Sequence, residues 1–277
     1  MPELPEVETV RRGLNQLTLN QEITGGDVLL PRTIAHPFFV EEFIEKIKTS
    51  AIKSWHRRGK YLLAELSSSS WLGVHLRMTG QLLWLNRNEP LHKHTRVRLF
   101  FGDNQELRFV DQRTFGQMWY VPGNLPVESI ITGLAKLAVD PFSPEFTVEY
   151  LANKLQKVRR PIKTALLDQS IVAGLGNIYA DEALFKSGIL PTTICTDLDK
   201  KQIAPLRTAI IDVLAASIAA GGTTFSNFLN VKGVNGNYGG EAWVYNRAGE
   251  PCKVCGNIIQ RIKLGGRSSH FCSQCQS

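Results

Sequence analysis

The chain has 277 residues, 43% of them hydrophobic and 21% charged, with a net charge of +7 at neutral pH. This is the length of two domains with real cores and the composition of an ordinary soluble globular protein. The basic balance favours a polyanionic partner, nucleic acid ahead of an anionic membrane surface. No stretch approaches the roughly 20 continuous apolar residues of a membrane span. The acidic start has no signal-peptide core, so a cytoplasmic protein without a membrane partner is expected.

Leu4, Val7, Val10, Leu14 and Leu17 recur at helical spacing, with Pro5 suited to the first turn. Residues 23–120 then read as short strands with turn signals, among them residues 59–66, 71–76, 97–101 and 105–109. Such strands predict a β-sandwich or barrel. A second helix, at about 39–47, interrupts them. Gly133, Pro141 and Pro144 mark a linker over 133–144. The second half reads as helical. One helix covers 147–157 and another 199–220, its apolar face carrying Ile203, Leu206, Ile210, Val213 and Leu214 and its end marked by Gly221-Gly222. Between them, Pro161 to Gly188 holds two helical stretches joined through residues 173–176. Residues 233–240 are loop by composition, and mobile by their glycine content.

Three places carry chemistry. The chain starts Met1-Pro2-Glu3-Leu4-Pro5-Glu6. Loss of Met1 leaves Pro2 with a free secondary amine. An α-amino group titrates at roughly 7.7–8.0, so part of it is unprotonated and nucleophilic at neutral pH. Attack on an aldehyde-level carbon gives an electron-drawing iminium, with Glu3 and Glu6 at hand for proton transfer. Many proteins start Met-Pro without such chemistry. Near the other end, Cys252-x2-Cys255 and Cys272-x2-Cys275 have the spacing of a closed four-thiolate zinc site, structural because no coordination position stays open. The fifth cysteine, Cys195, stands alone and reads as inert. Arg261, Lys263 and Arg267 lie between the pairs, a phosphate-gripping finger or simply a solvated hairpin. Finally, Asn177 follows Gly174-Leu175-Gly176 where a helix N-cap is expected. Helix N-termini hold phosphates, although a routine cap explains the residue equally well.

The start Pro2–Thr9, the segment Gly174–Glu182 and the four-cysteine ribbon occur in an order and at separations that together resemble the formamidopyrimidine-DNA glycosylase family, over essentially the whole chain. The resemblance implies an α+β fold. An N-terminal β-sandwich flanked by helices (1–132) would precede the linker, a helix–two-turns–helix domain with a lesion loop (145–240) and a zinc finger (241–277), with DNA in the cleft between. It implies a bifunctional glycosylase/AP lyase that takes double-stranded DNA with an oxidised purine or an abasic site. Pro2 would attack the sugar C1′ and cut the strand by β- and δ-elimination, holding one structural Zn2+ and needing no more than a monomer. By the same resemblance, Glu3 assists ring opening, Lys60 contacts phosphate near the lesion, and Asn177 and Arg267 pinch the flanking phosphates. Glu6 lies at the same site. Met78, Arg113 and Phe115 fill the void left by the flipped nucleotide. His75, His94 and Lys163 match DNA-contacting positions, although a histidine on a strand is commonly structural.

The chain departs from the family pattern at Ser226, where some members carry lysine, and in its Gly/Asn-rich loop 233–240, which leaves lesion preference open. Three rivals remain: the sister branch that excises oxidised pyrimidines, a catalytically silent DNA-binding protein, and a zinc-ribbon component of transcription machinery. Met78, the Arg113/Phe115 pair and the long loop favour the purine branch. Neither non-enzyme explains Pro2.

Overall fold

The computed structural model describes residues 1–223 and 229–277, so Ser226 lies outside the described residues. The chain folds as two compact units. One comprises Met1–Ala135 with Ala220–Asn237, and the other Lys136–Ala219 with Tyr238–Ser277. Segment 220–237, which sequence grouped with the helical domain, therefore returns to the N-terminal unit. Its anchor is Val231, buried in that unit's core, with its carbonyl accepting the Trp84 amide at 2.9 Å.

The first unit begins with α1 (Leu4–Leu17), followed by β1 (Gly25–Val28), β2 (Ile34–His36) and α2 (Val40–Ile47). Seven strands follow: β3 (Ile52–Arg58), β4 (Tyr61–Leu66), β5 (Trp71–His75), β6 (Gly80–Asn86), β7 (Thr95–Phe100), β8 (Gln105–Asp111) and β9 (Gln117–Val121). They form two sheets, in the orders β1-β7-β8-β6 and β2-β9-β5-β4-β3, with only the β2–β9 pair parallel among these strands. This is the expected sandwich. Strand β7 shows why: Thr95, Val97 and Leu99 are buried while Arg96, Arg98 and Phe100 are half-exposed, the period-2 alternation of a sheet with one face inward. Trp55, Leu62, Leu72, Val74, Leu82, Val97 and Phe109 share one core with Val7, Val10 and Leu14 of α1. Each such burial contributes about 1.5–3 kcal/mol before the entropy of ordering is subtracted.

Polar bonds fix α1 on its sheet. Asn15 exchanges two hydrogen bonds with the backbone of Trp55, at 2.8 and 3.0 Å, and the Trp55 indole N–H donates to Thr18 Oγ at 2.9 Å. Glu8 is the other tie. It binds Arg11 at 2.7 Å, Arg12 at 2.9 Å and Arg57 of β3 at 3.1 Å.

The short α3 (Val127–Ile130) closes the unit's first stretch. The proposed linker is not featureless, since it contains a 3-10 turn, Leu134–Lys136, with Leu134 buried. The second unit contains α4 (Val148–Leu155), α5 (Ile162–Leu166), α6 (Asn177–Lys186), α7 (Lys200–Ala219) and a hairpin of β10 (Gln260–Leu264) and β11 (Arg267–Phe271). Among the described residues, α7 is the one helix long and apolar enough to cross a membrane by length and composition. Ile203, Leu206, Ile210, Val213 and Leu214 lie buried along it, the face the sequence predicts. Tyr179 of α6 is buried against it and shares a 2.5 Å hydrogen bond with Ser217.

Burial raises the Glu8 pKa, but hydrogen bonds from Arg11 and Arg12 and the charges of Arg11 and Arg57 outweigh it and hold the carboxyl at about 2. A depressed carboxylate pKa stabilises the fold above the ordinary value, and that stabilisation is lost as pH falls through the folded-state value. Glu8→Gln is therefore expected to lower the melting temperature at pH 7. In a series of thermal melts, the gap to the parent protein should close as pH drops from 4.5 towards 2.

Candidate active site and nucleic-acid interface

Chain ends ordinarily fray. Here Pro2, Glu3 and Glu6 are all buried. Glu3 is the N-cap of α1, with Pro5 in the first turn as predicted. Glu6 is fully buried and uses both carboxylate oxygens. One accepts the Glu3 N–H at 2.8 Å and the other the Thr223 N–H at 2.9 Å. Glu6 thus clamps the N-terminal corner to the root of segment 220–237.

Lys60 sits, 7% exposed, in the turn between β3 and β4 beside Gly59, whose φ of +56° suits glycine. Arg57, held by Glu8, donates to the Gly59 carbonyl at 3.3 Å, so α1 also steadies this turn. His75 lies buried under the same region, its Nδ1 accepting the Arg77 N–H at 3.0 Å and its ring edge-on to Tyr61. Burial first, then the charges of Arg77 and Lys60, push its pKa down to about 3. The same burial and neighbouring charges favour the neutral imidazole at this position.

Met78 lies half-exposed between β5 and β6; Arg113 and Phe115 lie exposed between β8 and β9. The structure brings them together. Thr79 Oγ accepts the Arg113 N–H at 2.9 Å, and the Arg113 guanidinium stands 5.1 Å from the centre of the Phe115 ring. His94 borders the same loops, its carbonyl accepting the Asp111 N–H at 2.9 Å and its Nδ1 lying 3.1 Å from Arg96 Nη2.

In the second unit, Asn177 is the first residue of α6, and Gly176 is the N-cap. The Asn177 side chain is thus not spent on capping. Its Nδ2 approaches Ser268 Oγ at 3.4 Å, and its Oδ1 is buried without a protein partner. Ser268 neighbours Arg267, so α6 and the hairpin present Asn177 and Arg267 from adjoining positions. Arg267 itself is exposed at the start of β11. It follows a two-residue turn, Gly265-Gly266, with φ of +55° and +78°, the geometry that matches strand twist. A cavity of about 510 Å³ lies along Arg261, Lys263 and Ser268.

Lys163, read from the resemblance as a DNA-contacting position, is fully buried and engaged with protein partners. Its ammonium pairs with Asp181 and donates to the Asn177 carbonyl at 2.8 Å. The other Asp181 oxygen accepts from the backbone N–H of His270 at 3.0 Å and lies 3.1 Å from its ring Nδ1. The next residue, Glu182, accepts three consecutive backbone N–H groups, from Trp243, Val244 and Tyr245, at 2.8–3.0 Å. Sequence reading quoted both acids as part of a motif and missed their work. The available signal was two carboxylates inside an otherwise apolar helix.

The four sulfurs of Cys252, Cys255, Cys272 and Cys275 lie within 4.8 Å of one another. Cys252 and Cys275 are 3.9 Å apart, and Cys255 and Cys272 3.4 Å. Disulfides would need about 2.05 Å. Tetrahedral Zn–S bonds of about 2.3 Å place sulfurs about 3.8 Å apart, so the cluster fits one structural zinc. Cys195 is buried, and burial pushes its thiol up to about 11, as expected of an inert cysteine.

Comparison with known proteins matches three family models along the chain. Residues 1–118 match the formamidopyrimidine-DNA glycosylase N-terminal domain, and residues 137–228 the H2TH domain of the same glycosylase. Residues 249–277 match a zinc finger found in FPG and IleRS. A curated relative, the formamidopyrimidine-DNA glycosylase of Trichormus variabilis, is 81% identical over 276 residues, covering 100% of both chains. Among solved structures, the Lactococcus lactis Fpg in complex with DNA containing an abasic site superposes with a TM-score of 0.91. It shows 34% identity over 99% of each chain. A MutM complex with DNA containing carbocyclic 8-oxo-G gives 0.90 and 35% over 100% of each.

Stripping the zinc with a chelator is expected to unfold the hairpin selectively. Native mass spectrometry should lose one zinc per chain. Amide exchange should then accelerate within residues 249–277 while residues 52–111 keep their protection.

Proposed function

Because the chain belongs to the formamidopyrimidine-DNA glycosylase family, we propose that it removes oxidised purines, 8-oxoguanine and formamidopyrimidines, from double-stranded DNA and then cuts the strand at the resulting abasic site. The observation that carries this reading for these residues is the buried N-terminal corner. A nucleophile built from a chain end is useful only if that end is held still, and the Glu6 clamp holds it.

With Met1 removed, the Pro2 nitrogen attacks C1′ of the extruded nucleotide. The C1′–N glycosidic bond breaks, and the base departs with its electron pair and takes up a proton. Opening of the sugar ring, with Glu3 delivering a proton to the ring oxygen, leaves a Pro2–C1′ iminium. The iminium acidifies the adjacent C2′ proton. Its loss expels the 3′ phosphate, and a second elimination expels the 5′ phosphate. Hydrolysis of the iminium then frees the amine.

The remaining residues fit around this sequence. Lys60 holds phosphate close to the lesion, and Asn177 and Arg267 hold the flanking phosphates. Met78, Arg113 and Phe115 occupy the gap, as apolar wedges with a neighbouring arginine do elsewhere. His94 borders the wedge and contacts the strand. The bound zinc keeps the Arg267 hairpin folded and takes no part in the chemistry. A repair role on DNA supports a cytoplasmic, nucleoid-associated protein, and this reading needs no more than a monomer. The family match decides against the non-enzymes, and the exposed Arg113/Phe115 pair supports the purine branch over the pyrimidine one.

Borohydride reduction in the presence of a duplex holding 8-oxoguanine opposite cytosine is expected to trap a covalent adduct at Pro2. Pro2→Gly should still bind damaged DNA while losing most lyase activity. Undiminished strand cleavage by that variant would remove Pro2 from the chemistry. Arg267→Ala should weaken binding to all sequences alike, with the slope of log K against log salt falling by about one unit. An unchanged slope would exclude Arg267 from the phosphate contacts.

A further inference from the structure

The three void-filling candidates sit on two separate loops, and one hydrogen-bonded pair, Thr79 and the buried Asp111, ties those loops together. Strands β6 and β8 are antiparallel neighbours, with Gly80 opposite Asp111. The Met78 loop therefore enters β6 at the same end of the ladder where the Arg113–Phe115 loop leaves β8. At that end Asp111, 1% exposed, uses both carboxylate oxygens. Its Oδ1 accepts the Thr79 hydroxyl at 2.5 Å, and its Oδ2 accepts the Gly116 N–H at 2.7 Å. The Thr79 hydroxyl, having donated its proton to Asp111, accepts the Arg113 N–H at 2.9 Å. The ring of bonds thus runs from Asp111 through Thr79 to Arg113 and back to Asp111 through Gly116.

The backbone supports the same arrangement. Arg77 and Thr114 take positive φ, +54° and +58°, one in each loop. A Cβ on Gly116 would stand 2.4 Å from the Phe109 ring, and one on Gly80 2.4 Å from the Leu76 carbonyl. The loop roots are fixed while the tips are open, with Phe115 53% exposed.

We propose that Thr79 and Asp111 are positioning residues that staple the Met78 and Arg113–Phe115 loops into one preformed wedge, so that both enter the duplex together when the damaged nucleotide leaves it. The proposal rests on the reading of Met78, Arg113 and Phe115 as void fillers. Neither Thr79 nor Asp111 touches the reacting atoms. A loose pair of loops would have to be ordered as the duplex opens. That adds an entropic cost to extrusion and lets the arginine address the opposing base less selectively.

The test compares Thr79→Val, Thr79→Ser and the parent protein on duplexes holding 8-oxoguanine opposite cytosine or adenine. 2-Aminopurine beside the lesion reports wedge entry by stopped-flow fluorescence. Thr79→Val keeps the side-chain shape and removes both of the hydroxyl's bonds. It is expected to slow wedge entry and base excision about tenfold, to narrow the preference between opposing cytosine and adenine, and to leave borohydride trapping at a single-stranded abasic site unchanged. Thr79→Ser should restore all of these. Wild-type entry kinetics and opposing-base preference in folded Thr79→Val would overturn the staple.

Met78→Ala and Phe115→Ala separate the two levels of the argument. If neither alters the fluorescence phase, the void-filling reading fails. If both do while Thr79→Val does not, the staple alone fails. Should Thr79→Val not fold, amide exchange in the parent protein decides: protected Arg113 and Gly116 amides are required, and exchange at the rate of an open loop refutes the proposal.

Discussion

Everything in the N-terminal corner depends on one buried carboxylate. A chain terminus has the greatest conformational freedom in a protein, and a nucleophile placed there loses that freedom before it reacts. Glu6 removes it in advance. Its two oxygens are taken by the amides of Glu3, three positions before it, and Thr223, 217 positions after it. Because the acceptor is buried away from water, losing either partner leaves an unsatisfied oxygen, which costs more than the net worth of the bond itself. The clamp is therefore both tight and hard to dispense with.

The same device recurs wherever a functional element has to be held. Glu8 gathers Arg11, Arg12 and Arg57 and through Arg57 reaches the turn that carries Lys60. Asp111 joins two loops through Thr79 and Gly116. Asp181 binds Lys163 and His270, and Glu182 takes three successive amides ahead of the zinc cluster. In the cases of Asp111 and Glu182 an acid on a strand or helix satisfies groups on a segment without regular structure, whereas Glu8 and Asp181 join one regular element to another. Apolar packing builds the sandwich and the helical unit. Ionic hydrogen bonds decide where the irregular segments stop. Such bonds are directional, whereas hydrophobic burial is not.

This division explains what could be read from sequence. Helix α1, the strands and the apolar face of α7 were legible because burial leaves a period in the residue order. The zinc cluster was legible because a metal demands fixed spacing between ligands. The N-terminal corner was legible as a candidate site because its residues are adjacent. What failed was anything that depended on partners far along the chain. Nothing near Lys163 in the chain announces its partner Asp181, and nothing near His75 announces its burial beside Tyr61. Asn177 was assigned the cap because the residue type favours it, yet the turn is made by Gly176 and the amide is left for other use. Segment 220–237 carries no periodic signal, and the described residues that tie it to the first unit, Thr223 and Val231, do so through partners far away in the chain.

The Gly265-Gly266 turn has a consequence for sequence drift. The two glycines share a left-handed backbone but not a surrounding. At Gly266 a Cβ meets nothing within 4 Å, while at Gly265 it would stand 2.9 Å from the Thr164 methyl. Asparagine, which tolerates positive φ, is therefore admissible at 266 on backbone grounds alone. At 265 it also requires the Thr164 side chain to give way. A side chain at 265 would therefore press on helix α5, so the hairpin tip and a helix about 100 residues earlier in the chain share one packing contact.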